Sequence, residues 1–229
     1  METSAVQENI AIWHERIQEA SGKWGGAEIC AVSKTVPAEI VNQAYGAGIR
    51  ILGENRVQEM LGKMDALNPG FEMHVIGQMQ TNKVRQIVGK VSWIQSLDRL
   101  ELAREISRRC TAAGVTMNAL VEVNIAAEPQ KGGVPPEGLL DLLRQSSQMP
   151  GIAIRGLMAV MPLAEDPETV RPYFRKMRGW FDRIRDMDME NVRMDVLSMG
   201  MSGDCLVAAQ EGATMVRLGR AIFGPRTQK

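Results

Sequence analysis

Residues 2 to 22 space Val6, Ile10, Ile12, Trp13 and Ile17 as one apolar face, which predicts an amphipathic helix. Beyond it the pattern changes. Eight short apolar runs follow: EICAVSK, RILGEN, EMHVIG, SWIQSLD, NALVEVN, IAIRGLMAV, RMDVLSM and TMVRLGR. Between them lie stretches of helical spacing, among them PAEIVNQAYGAG, NKVRQIVGK, RLELAREISRRCTAAG, PPEGLLDLLRQSSQM and ETVRPYFRKMRGWFDRIRDM. Strands alternating with helices, without a compositional break or a Pro/Gly/Ser linker, predict parallel βαβ units in a single domain over residues 1–229. Eight such units predict a closed (β/α)8 TIM barrel of parallel strands with an extra N-terminal helix. An open doubly wound sheet is the alternative, and the lack of GxGxxG after the first run counts against it.

Composition narrows the function classes. Lys plus Arg, at 27, balances Asp plus Glu, at 27, so no global field draws the chain to nucleic acid or to an anionic membrane. No apolar stretch approaches the ~18 residues of a membrane span. Glu2 and Glu8 stand where a secretory leader carries basic residues, and the expected location is the cytoplasm. Cys30, Cys110 and Cys205 are odd in number and lack CxxC spacing, which predicts reduced thiols and no zinc site. With His14 and His74 as the only histidines, a His-rich metal site is excluded and a Ser-His-Asp triad has little to draw on. The methionines are expected to fill the core.

In a (β/α)8 barrel the chemistry sits at the carboxyl ends of the strands, and loops after strands seven and eight frequently hold phosphate. Lys34 closes the first run, Glu54, Asn55 and Arg56 the second, the tract from Gly77 to Lys83 the third and Asn124 the fifth. The seventh enters SMGMSGD, residues 198 to 204, and the eighth enters VRLGRAIFG, residues 216 to 224. SMGMSGD reads as a turn that exposes backbone: Gly200 and Gly203 permit close approach, and Ser202 either caps the following helix or binds an oxyanion. A second glycine-bearing turn at VRLGR makes a phosphate cradle of the pair.

Closure pairs strand eight with strand one at a spacing of about 4.8 Å, which sets Lys34 one or two spacings from the cradle. That is the scale of a pyridine ring with a phosphate on one side and an aldehyde on the other. A lysine desolvated there, near Arg217, is predicted to have a lowered amine pKa and raised nucleophilicity toward carbonyls, as a Schiff-base lysine does. Plainer roles stand beside these. Lys34 can snorkel at a strand end, Glu54 and Arg56 can pair with each other or with neighbours, Asn55 can cap the next helix, and Arg217 can bridge barrel layers.

The ordered set AVSKTVPAE, GENRVQE, HVIGQMQTNK, VNIAAEPQKGG, RGLMAV, LSMGMSGD and GATMVRLGRAIFG resembles the YggS/PROSC group of pyridoxal 5'-phosphate (PLP) homeostasis proteins. That group is similar to the N-terminal barrel of bacterial alanine racemases. The resemblance covers nearly the whole chain and implies a monomeric, single-domain barrel that binds PLP and serves vitamin B6 homeostasis without an established turnover. Position by position it implies that Lys34 forms the internal aldimine and that Asn55 lies beside the ring. Ser202 and the backbone at Gly219 and Arg220 would hold phosphate, and Arg217 would face the pyridine nitrogen. It assigns no catalytic residue and no metal, and it implies PLP-dependent apo-enzymes as recipients. Two positions depart from the family pattern: Arg220, where many members carry Thr, and Gln78, where His is frequent.

A donor-only Arg217 would leave the ring nitrogen unprotonated and the ring a weak electron sink. Racemisation also needs two positioned acid/base groups. Alanine racemases draw the opposing tyrosine from a second, β-rich domain, whereas this chain ends at Lys229 soon after the eighth run, and Tyr45 and Tyr173 fall in helical stretches as packing residues. The expected role is a PLP carrier that binds and exchanges its cofactor, with Ser202→Ala and Arg217→Ala weakening retention and sparing the fold. The alternatives are a low-activity amino-acid racemase, a Schiff-base aldolase acting on a phosphorylated sugar, and a barrel scaffold that binds another protein.

Overall fold

The computed structural model describes residues 4–225, so the first residues of the predicted N-terminal helix and the ends of the predicted domain lie outside the described residues. The eight runs are strands β1 (Glu28–Val32), β2 (Ile51–Glu54), β3 (Glu72–Val75), β4 (Trp93–Leu97), β5 (Met117–Glu122), β6 (Ile152–Met158), β7 (Val192–Met201) and β8 (Met215–Leu218). All pair in parallel, and β8 returns to β1, with Cys30 opposite Arg217 and Ala31 opposite Leu218, to close the barrel. Around it run α1 (Ala5–Ser21), α2 (Ala38–Gly46), α3 (Val57–Lys63), α4 (Val84–Ile87), α5 (Leu100–Ala113), α6 (Pro136–Ser147), α7 (Arg171–Arg185), α8 (Cys205–Gln210) and α9 (Arg220–Phe223).

Alternation along each strand sorts the core into two layers. Ala31 and Leu52 face outward and pack with helical residues such as Val41, Met60 and Phe174. Cys30, Ile51 and Met215 face inward. Strands buried on both faces read as continuous apolar runs, as along most of the barrel, whereas the first half of β7 alternates with exposed Arg193 and Asp195. The helix α1 begins with a capping box: Gln7 N donates to Ser4 Oγ, and Ser4 N donates to Gln7 Oε1. Its Val6, Ile10 and Ile17 are buried against the ring of helices, but Ile12 is 52 % exposed. Two residues after Ile10, its side chain falls some 200° around the helix and off the apolar face.

Local departures have physical causes. The seventh strand runs on through Met201, so the first half of SMGMSGD is strand rather than turn. Gly200, at φ +92°, sits within the register shift between β7 and β8, and a Cβ there would lie 2.5 Å from Ala208 Cβ. NKVRQIVGK gives one helical turn, α4, preceded by a 3-10 turn over Thr81–Lys83. Pro172 falls in the first turn of α7, where its missing N–H costs nothing. All three cysteines are free and buried. Among the described residues no group of three His, Cys, Asp or Glu side chains gathers as a metal site, and no helix is long and apolar enough to cross a membrane.

Candidate functional site

At the carboxyl end of β1 the chain bends sharply. Thr35, directly after Lys34, has φ +64°, a left-handed conformation that β-branched residues rarely adopt. Its amide donates to Glu59 Oε1 on α3. Behind Lys34, Ser33 Oγ donates to Glu54 Oε1 (2.5 Å), and Lys63 Nζ bonds both Ser33 O (2.7 Å) and Glu54 Oε1 (2.5 Å). Glu54 therefore pairs with Lys63 and not with Arg56. Burial raises the Glu54 carboxyl pKa, against the pull of Lys63 and Ser33. Two residues after β1 and pinned at this bend, Lys34 is half-buried in the wall of a cleft.

Asn55 follows β2 without capping α3, whose N-cap is Arg56. Its Oδ1 is buried with no hydrogen-bond partner. The end of β3 packs so closely here that a Cβ at Gly77 would stand 2.3 Å from Asn55 O.

Across the cleft, the turns after β7 and β8 are tied to each other. Ser202 Oγ accepts from Ala221 N (3.3 Å), so the serine caps α9 and not the helix that follows it in sequence. Asp204 Oδ1 accepts from Met201 N (2.6 Å), and burial raises its carboxyl pKa. Gly219 lies against β1, where a Cβ would be 3.3 Å from Val32 O. Arg217 is 4 % exposed and donates to Ser198 and to Ala159 O, in place of the salt bridge that a layer-bridging role would require. Burial weighs against its charge, opposed by Cys30, Glu122 and Asp204. Glu122, at the end of β5, has its carboxyl pushed up to about 7 by burial and by Asp98, with Arg217 pulling the other way.

Lys34, Asn55, Ser202, Arg217, Gly219 and Arg220 all line this one cleft, whose volume is about 530 Å³. Much of its remaining wall comes from two loops, one after β5, where the sequence marks Asn124, and one after β6, where it marks no residue. The loop after β5 is held by Asn124, which accepts from Glu128 N (3.0 Å) and donates to Glu128 O (2.8 Å); its Lys131 donates to Met161 O (2.9 Å). The loop after β6 adds Val160, Met161, Pro162 and a fully exposed Leu163. The lysine in VNIAAEPQKGG was the available signal for the first of these. A larger cavity, about 930 Å³, lies between α1 and the starts of β1 and β2 and contains none of these residues.

Fold and cleft together define a class, the parallel barrels of the family described as alanine racemase, N-terminal domain, whose model matches residues 2–227. A pyridoxal phosphate homeostasis protein of Aquifex aeolicus is 46 % identical over 217 residues, covering 93 % of this chain and 94 % of that protein. PipY of Synechococcus elongatus is similar in structure both without PLP (TM-score 0.87, 33 % identity) and with PLP bound (TM-score 0.82, 31 % identity), over 96 % of this chain and 100 % of PipY. The chain belongs to the family of pyridoxal phosphate homeostasis proteins.

Proposed function

We propose that this protein holds PLP in the cleft, attached through Lys34, and serves PLP homeostasis without strong catalytic turnover. The observation that carries the reading is that a half-buried lysine shares one small cleft with two turns suited to an anion. The residues fit the group. Asn55 Oδ1 is an unpaired buried acceptor beside the cleft, and Gly219 leaves room at β1 that a side chain would narrow.

When bound, PLP supplies an aldehyde that condenses reversibly with primary amines, and an electron-withdrawing ring. Lys34 contributes the amine. Ser202 Oγ accepts from Ala221 N and keeps its own proton to donate to the phosphate, together with the backbone N–H groups of Gly219 and Arg220. The Arg220 side chain is exposed and adds its charge at the mouth. Asn55 would lie beside the ring. Arg217, which can only donate, would leave a pyridine nitrogen facing it unprotonated. Tyr45 packs edge-on against Phe71 (5.1 Å between ring centroids) and Tyr173 packs on α7. Neither lines the cleft, so neither supplies an acid/base group opposite Lys34. On this reading the cleft would give up its PLP to other amines, including those of apo-enzymes, and the protein works as a cytoplasmic monomer.

The test is borohydride reduction of the PLP-treated protein, followed by peptide mapping. A single adduct at Lys34, lost in Lys34→Ala, is expected; an adduct that persists on another lysine overturns the assignment. Incubation with L-alanine should yield no useful rate of D-alanine, and such a rate would establish a racemase instead.

A further inference from the structure

Below the cleft, the barrel interior is not filled only by the branched apolar residues usual in this fold. It also carries a chain of hydrogen bonds with one direction. Arg217 Nη1 donates to Ser198 Oγ (2.7 Å) and Ser198 O (2.8 Å), and Nη2 donates to Ala159 O (2.8 Å). Ser198 Oγ donates to Gln95 Oε1 (2.7 Å). Gln95 Nε2 contacts His74 Nδ1 (2.8 Å) and Met215 Sδ (3.2 Å). Ser198, Gln95 and His74 are wholly buried.

Elementary donor counting orients every link. A guanidinium has no acceptor, so the serine oxygen receives from Arg217 and must send its single proton onward. That fixes Gln95 with its carbonyl toward Ser198 and its amide protons toward His74. Nδ1 of His74 is then an acceptor, and the imidazole proton sits on Nε2. That nitrogen stands 3.8 Å from Glu72 Oε1, a carboxylate 41 % exposed at the start of β3. The imidazole stacks on Trp93 (5.2 Å, 24°), whose Nε1 donates to Glu72 Oε1 (2.7 Å). Burial keeps His74 below the usual histidine range, against the pull of Glu72 and Glu28.

We propose that His74 is a positioning residue for Arg217: as terminal acceptor it sets the direction of the chain through Gln95 and Ser198 and thereby fixes the guanidinium at the cofactor ring. The ring itself rests on the functional reading above. Without the acceptor at position 74, Gln95 is free to turn its amide over and offer protons to Ser198. The serine oxygen then meets two donors and its own proton has no acceptor, so the hold on Arg217 loosens. Met215 Sδ is too weak an acceptor to hold the amide alone.

Two variants separate polarity from packing. His74→Asn can place Oδ1 where Nδ1 stands, and His74→Leu cannot accept. In PLP-loaded protein, His74→Leu should release PLP to an excess of free amine about tenfold faster and shift the visible absorption band, the effect of weakening one hydrogen bond by about 1.4 kcal/mol. His74→Asn should stay within about twofold of wild type on the same scale. Wild-type behaviour in both variants, or equal loss in both, overturns the proposal. A measurement without cofactor stands apart from folding failures: ¹⁵N spectra of the histidine-labelled protein should show His74 as the neutral Nε2–H tautomer at neutral pH. An Nδ1–H tautomer or an imidazolium there overturns the chain's direction. If the wild-type protein takes up no PLP, the functional reading fails, and the ¹⁵N spectra still decide the inference about His74.

Discussion

Glu59 on α3 receives the amide of Thr35, and this bond stands where the backbone is forced left-handed next to Lys34. A left-handed L-residue costs roughly 1–2 kcal/mol, and the strain is maintained only because the surrounding structure over-determines it. Thr35→Gly should relieve most of that cost and, after the entropy glycine loses on folding, raise stability by about 0.5–1 kcal/mol in urea denaturation. The same variant should bind PLP less tightly because Lys34 is less firmly aimed. A drop in stability would show that the bend is not strained.

Ser202→Ala removes the cap of Ala221 N–H and a proposed phosphate donor together. The expected loss is about 1 kcal/mol of stability and a weaker hold on PLP, with Ser202→Thr restoring much of both. Equilibrium dialysis against PLP and a thermal melt read the two effects separately; unchanged affinity in the alanine variant would count against the cradle. Arg217→Ala differs in kind. It strips the guanidinium donors from Ser198 Oγ and Ala159 O, whereas Ser198 O keeps the Ala159 amide at 3.1 Å. Buried acceptors left without partners cost about 1–3 kcal/mol each, so folding should suffer along with PLP retention, against the expectation that the fold would be spared.

Glu122 links stability to pH. Its folded-state pKa, about 7, lies above the unfolded value, so between about 4.5 and about 7 the native state binds more protons than the unfolded chain. Stability therefore declines as pH rises through that window and levels off above it, by up to about 3 kcal/mol for this group. Glu122→Gln, which stays uncharged, should flatten that part of the curve. Chemical denaturation at intervals from pH 5 to pH 8 measures both; parallel curves would place the Glu122 proton elsewhere.

Gly77→Ala tests the contact between β3 and the Asn55 backbone. The added Cβ would meet Asn55 O at 2.3 Å and Asn55 Cα at 2.8 Å, neither of which is a side-chain end that can swing away. Overpacking of this kind costs about 1–3 kcal/mol, and here the displaced residue borders the cleft, so PLP affinity should fall with stability. Unchanged affinity in a destabilised variant would remove Asn55 from the binding site.

The strands were legible because burial on both faces leaves most of them as short apolar runs, and the site because barrel chemistry gathers where those runs end. Lys34, just past the end of β1, and Arg217, near the end of β8, both line the cleft to which that rule points. The helices α3 and α9 were not, since seven and four residues are too few to display a helical period. Ile12 was misplaced because one apolar side chain beside a true stripe is easily counted into it. The chain from His74 to Arg217 left no mark at all. His74, Gln95 and Ser198 are single polar residues in three separate strands, and only closure of the barrel brings them within bonding distance of one another.

Pairing of β8 with β1 also gives the pocket a history during synthesis. Lys34 is made well before the turns at Ser202 and Gly219, so a half-made chain has the amine without the rest of its cleft. Under the proposed function, capture of the cofactor would therefore report a closed, correctly wound barrel, and damage that unseats the eighth strand would set the captive free.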